Sequence, residues 1–221
     1  MKNSLLLILL ALLILSFSYS LEKRYTTTYI RPTTNNIDTT ILVRDSILKT
    51  DTIITHQAFP WSLDHACELG NYTVQGIIPA MLDTLTALSL TERLTNGFNP
   101  SSASSNYHGI DYTSNGINYS AAIDISIRCL TEDQIRTLLD ELALRGFAGW
   151  YRKKGEDGWK GKNHIHAIWV AAPLKRQLAL QVKKWLAGKN GLTSDKKYTF
   201  WTPTPDAVAQ IRSAFAQSNK F

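Results

Sequence analysis

The chain has 221 residues, a formal net charge of +6 and only two cysteines, Cys67 and Cys129. Its one long apolar stretch, Leu5 to Phe17, falls short of the roughly 20 apolar residues a membrane-crossing helix needs, and no later stretch approaches that length, so no stable membrane span is expected. Some 200 residues follow it, about the size of one domain.

Lys2 ahead of the apolar stretch and the small residues Ser18 and Ser20 after it give residues 1–20 the form of a signal peptide, which predicts a secreted protein. Residues 21–60 are rich in Thr and read as a linker or stalk, although the alternation in Thr40-Ile41-Leu42-Val43-Arg44 leaves room for a strand or two. In an exported chain, Cys67 and Cys129 suit either a disulfide or two buried thiols.

The packed domain is expected over residues 61–221. Ile78, Met81, Leu82, Leu85 and Leu88 recur at helical spacing. A stretch rich in Ser, Asn, Gly and Pro follows from Thr95 to about Asn118, too long for a simple connection and therefore either functional or disordered. Ile123, Ile125, Ile127 and Cys129 then alternate with polar or small residues as in a half-buried strand, so Asp124 points away from the apolar side. Thr131-Glu132-Asp133-Gln134 has the form of a capping box for a helix with the stripe Ile135, Leu138, Leu139 and Leu142, ended by Gly146. Phe147 to Tyr151 and His164 to Val170 read as strands of a hairpin around a Gly- and charge-rich turn. Leu174, Leu178, Val182 and Trp185 predict a further helix stopped at Gly188, and Thr204-Pro205 opens a last one. Helices and short strands mix without a regular βαβ rhythm, so the expected class is α+β, a small, mainly antiparallel sheet flanked by helices.

Chemistry concentrates in three places. In His164-Ile165-His166 the two imidazoles project to the same side of a strand. Asp124 lies on the polar side of another strand, and His108-Gly109 lies in the long stretch before it. A His, an Asp and a later His provide three N/O ligands and leave one position open, as a catalytic zinc requires. Asp111 is the other candidate ligand in the loop. Between Tyr151 and Phe200, twelve Lys or Arg face three acids, Glu156, Asp157 and Asp195. In a secreted protein such a basic face favours an anionic cell-wall polymer or a membrane surface rather than nucleic acid.

The order of these motifs resembles a zinc peptidase superfamily that includes lysostaphin-type endopeptidases, D-alanyl-D-alanine peptidases and the hedgehog signalling domain. It is more closely similar to small exported actinobacterial-type domains. The residues carrying the resemblance are Ala122-Ile123-Asp124-Ile125-Ser126, Gly146-Phe147-Ala148-Gly149-Trp150-Tyr151-Arg152, His164-Ile165-His166-Ala167 and Lys189-Asn190-Gly191-Leu192. The resemblance implies a hedgehog/D-Ala-D-Ala peptidase-like fold, zinc held by His108, Asp124 and His166, His164 as the proton-handling catalytic group, and Arg152 as a group for a substrate carboxylate. It implies hydrolysis of peptidoglycan peptides, with a non-catalytic zinc-binding recognition module as the alternative. One departure stands out: His108 precedes Asp124 by sixteen residues, where the family's spacing is about seven. Glu156 and Asp157 are the acids nearest the final His, both in the turn.

Overall fold

The computed structural model describes residues 72–101 and 104–218 in full, together with Phe59, Trp61, Leu69 and the backbones of two earlier strands. The expected signal peptide and Cys67 lie outside the described residues. The chain divides into two compact units, Met1–Gln57 and Ala58–Phe221. In the first, β1 (Thr40–Arg44) and β2 (Asp51–Thr55) pair antiparallel, so the segment read as a linker contains a strand pair.

The second unit is α+β. Its helix α1 (Pro79–Ala87) carries Pro at its start, where the missing N–H has no intrahelical partner to lose, and buries Met81 and Leu85. Leu82 of the predicted apolar stripe instead faces solvent, 38% exposed. A single 3-10 turn (Thr91–Arg93) leads into β3 (Leu94–Asn96). The stretch expected as a long loop is ordered into the one-turn helix α2 (Ser105–His108) and a hairpin of β4 (Tyr112–Ser114) and β5 (Ile117–Tyr119). The hairpin turns at Asn115 and Gly116, both with positive φ, and stacks Tyr112 on Tyr119 with ring centroids 5.0 Å apart.

β6 (Ala122–Ile125) is shorter than its alternation suggested. The chain turns at Arg128 and Cys129, which has φ +62°, before the cap of α3 (Glu132–Leu144). Cys129 is disulfide-bonded. The capping box is complete: the Thr131 side chain accepts from Gln134 N, and the Gln134 side chain accepts from Thr131 N. The stripe Ile135, Leu138, Leu139 and Leu142 is at most 2% exposed, an apolar burial of roughly 6–12 kcal/mol as an upper bound. Gly146, at φ +89°, ends the helix.

β7 (Phe147–Arg152) and β8 (His164–Trp169) form the predicted antiparallel hairpin. Helix α4 (Arg176–Leu186) and helix α5 (Pro205–Ser218) complete the unit. The four-stranded sheet has the order β3-β6-β8-β7, with every pairing antiparallel. One face packs on α3: a Cβ on Gly149 would stand 3.2 Å from the Leu139 side chain. The outer edge of β7 is covered, since Trp185 donates to Gly149 O and Tyr151 N donates to the Tyr198 hydroxyl.

Candidate metal centre

On the inner strand β8, His166 stands directly opposite Asp124 of β6 on one side and Trp150 of β7 on the other. Residues opposite one another in a sheet share a face, so these side chains form one row across the strands. Asn96 of β3, opposite Asp124, extends the row, and His164 joins the face two residues before His166. The opposite parity sends Ile123, Ile125, Ile165 and Ala167 into the core, all 0% exposed. His108 arrives from outside the sheet, as the last residue of α2.

These groups converge on one carboxylate. Asp124 Oδ2 lies 3.2 Å from His108 Nε2 and accepts from Asn96 Nδ2 at 3.2 Å. Asp124 Oδ1 lies 3.0 Å from His166 Nδ1 and 3.4 Å from His164 Nε2. His108 and His166 are each 5% exposed, and their rings meet edge to face at 5.3 Å.

The outer nitrogen of each ring decides what the inner one offers. His108 Nδ1 lies 3.3 Å from Ala122 O, His164 Nδ1 lies 2.9 Å from Lys162 O, and His166 Nε2 lies 3.4 Å from Gln181 Oε1. All three partners are acceptors, and Gln181 is held in that orientation because its Nε2 donates to Gly191 O at 3.2 Å. With an ion at the centre, the outer nitrogens can each give an N–H to these acceptors and turn their inner lone pairs toward it. Burial pushes His166 down to about 4, against the pull of Asp124, so this ring is neutral at ordinary pH. Burial alone would raise Asp124, but His108 and His166 outweigh it and hold the carboxyl well below the usual carboxylate range. His108 and His166 around the ionised Asp124 carboxyl form a group that could hold a metal ion.

The nitrogen and oxygen donors are of kinds that zinc takes. The two short contacts engage different oxygens of the carboxylate, Oδ1 toward His166 at 3.0 Å and Oδ2 toward His108 at 3.2 Å. One ligand atom from each of His108, Asp124 and His166 lies within 4.8 Å of the others. His164 stands beside the three, with its Nε2 turned toward the same space.

The centre opens into a cleft of about 530 Å³, whose walls include Tyr107, Arg152, Trp159, Lys162, His164 and Leu192. Arg152 is 4% exposed, its guanidinium lies 5.0 Å over the Trp150 ring, and its Nη1 donates to Asn190 O. Burial lowers its pKa to about 10, which leaves it cationic. Trp159 stands edge-on to His164 at 5.1 Å.

The turn acids are not in the site. Glu156 pairs with Lys153 at 2.9 Å, and neither it nor Asp157 lines the cleft. Asp111 is no ligand either. Its side chain, with no solvent exposure, accepts from Ala121 N at 2.8 Å and Lys175 N at 2.9 Å, while Lys175 Nζ lies 3.6 Å away and donates to Gly109 O. Burial raises the Asp111 pKa, and these donors oppose the rise. Sequence reasoning missed Asn96 and Gln181. Gln181 did leave a trace, because it occupies the apolar stripe of α4 between Leu178 and Trp185, where a polar residue needs a buried partner. Compared with protein families, curated proteins and solved structures, the chain has no match in any of the three.

Proposed function

We propose that the protein is a secreted zinc-dependent peptidase acting on bacterial cell-wall peptides, with zinc held by His108, Asp124 and His166. The observation that carries the metal is the set of inward-facing ring nitrogens around Asp124, each fixed by an acceptor at its outer nitrogen. In this proposal, the sheet bearing the row Asp124, His166 and Trp150 is the zinc-site sheet of a hedgehog/D-Ala-D-Ala peptidase-like fold.

Zinc held by His108, Asp124 and His166 would lower the pKa of a water and polarise a substrate carbonyl. The chain's own groups do the rest. His164 Nε2 is free to take a proton because Nδ1–H is committed to Lys162 O, and the edge of Trp159 confines the ring. Returning that proton to the departing amine completes peptide hydrolysis. Arg152, a buried cation on the cleft wall, suits a substrate carboxylate. Exposed Lys154, Lys160 and Lys162 in the turn between β7 and β8 favour an anionic polymer as the larger partner. Export is supported by the apolar stretch after Lys2 and by the disulfide at Cys129, which suits an oxidising compartment. Among the described residues, no helix is long and apolar enough to cross a membrane.

The test is release of new amino groups from purified peptidoglycan by the zinc-loaded chain. Release that His166→Ala abolishes while the far-UV dichroism stays native supports the peptidase. Stoichiometric zinc with no release points to a recognition module on the same site, and no zinc uptake overturns both.

A further inference from the structure

The segment Lys189-Asn190-Gly191-Leu192 takes no part in ligation, yet its backbone accepts from three side chains beside the centre. Lys189 O accepts from Trp150 Nε1 at 2.9 Å, Asn190 O accepts from Arg152 Nη1, and Gly191 O accepts from Gln181 Nε2 at 3.2 Å. Trp150 in turn stacks on the His166 ring, with centroids 6.2 Å apart and planes 21° from parallel. Asn190 is itself fully buried and pins the segment, its Oδ1 accepting from Leu192 N and its Nδ2 donating to Ser194 Oγ. The three carbonyls hold the surroundings of one histidine from a single stretch of backbone.

Of the three groups they hold, only Gln181 reaches a ring nitrogen of His166. Gln181 is 3% exposed and has an amide that could turn either way by shape alone. Donation to Gly191 O removes that freedom, which leaves Oε1, an acceptor, against His166 Nε2. His166 therefore lies between two acceptors, Gln181 Oε1 at 3.4 Å from Nε2 and Asp124 Oδ1 at 3.0 Å from Nδ1, and with an ion on Nδ1 the ring's proton sits on Nε2 and is donated to Gln181. With Gln181 absent, that proton has lost this acceptor, and Nδ1–H would instead donate to the carboxylate and close the space an ion needs.

We propose that Gln181 is a positioning residue of the metal centre, which accepts from His166 Nε2–H and so steadies the ring with Nδ1 toward the ion. The proposal rests on the metal reading of the site, and it is tested on the full chain with zinc alone as the probe. Zinc affinity is measured by competition with a chromophoric chelator for wild type, Gln181→Met and Gln181→Glu, beside the thermal midpoint of each metal-free protein. Partners in the outer shell of a metal site typically contribute 10–100-fold in affinity, so Gln181→Met is expected to bind zinc about 10–100-fold more weakly. Gln181→Glu keeps an acceptor for Nε2–H but gives up the donor to Gly191 O. It should therefore bind zinc more tightly than Gln181→Met while its metal-free form melts lower than wild type. A merely structural glutamine would instead move affinity and melting together in both variants.

Nitrogen-15 spectra of the zinc-loaded wild type give a second readout, in which His166 carries its proton on Nε2 and the Nε2–H signal moves in Gln181→Met. An Nε2–H signal unchanged by Gln181→Met, or wild-type zinc affinity in that variant, overturns the proposal. If wild type takes up no zinc, the metal reading fails by itself, and this proposal fails with it.

Discussion

Asp124 and Gly191 each control much from a single position. Asp124 is the shared neighbour of three imidazoles, and no other described acid lies near them, so its loss removes the anionic member of the group that could hold a metal. Asp124→Ala is expected to abolish stoichiometric zinc binding, measured by metal analysis after stripping and reloading, while leaving the α+β dichroism in place. Gly191 controls through backbone. It has φ +68°, and a Cβ there would stand 2.8 Å from the Trp150 ring, so any side chain meets both strain and a clash. Gly191→Ala should cost about 1–3 kcal/mol in thermal unfolding and also weaken zinc binding, because the Gly191 carbonyl sets the orientation of Gln181. The shared face of Asp124, His164 and His166 was legible in the sequence because strand parity and two-residue spacing are local properties, whereas His108 joins them from a helix outside the sheet. Asn96 and Gln181 were harder to find, since a hydrogen bond across the fold leaves no local period. The polar residue in the α4 stripe was the only hint.

At the scale of elements, helix stripes and the capping box were legible because both depend on residues within a turn or two of each other. The end of β6 and the ordered content of residues 95–118 were not, because tertiary contacts impose them. The β4–β5 hairpin makes up half of the sixteen-residue spacing between His108 and Asp124. The β4–β5 hairpin takes up eight residues, Tyr112 to Tyr119, and closes on itself, with Asp111 N donating to Tyr119 O at 2.9 Å. The chain thus leaves and returns at nearly the same place, and Asp111 with Lys175 ties the return to β6 and α4. Replacing Thr113–Asn118 by a two-residue Asn-Gly turn should therefore leave zinc affinity unchanged. Asp111→Ala should lower stability by on the order of 3 kcal/mol in denaturant unfolding, toward the low end for a broken buried pair because Lys175 retains some solvent contact. It should weaken zinc binding too, since His108 then loses the brace on its neighbour Gly109. Equal zinc affinity in the Asp111 variant would show that the hairpin ends place His108 without it.

At the scale of the molecule, the strand order β3-β6-β8-β7 is what joins distant parts of the chain in one site. No periodicity encodes that order, because it follows from which apolar faces bury best together. The three ligands come from α2, β6 and β8, which are separated by the β4–β5 hairpin, α3 and β7. An ion binding all three links segments that the unfolded chain holds far apart, and a ligand taken up only by the folded form stabilises it in proportion to the logarithm of its concentration. At free zinc a hundredfold above the dissociation constant the gain is about 2.7 kcal/mol. For a unit of this size that gain raises the melting temperature by about 5–10 °C. Calorimetry of the chelator-stripped chain with and without added zinc should show this shift, and Asp124→Ala should melt at the same temperature in both conditions. A wild type indifferent to zinc would mean that the ring nitrogens around Asp124 share protons rather than a metal, and the hydrolytic chemistry would have no source for its nucleophile.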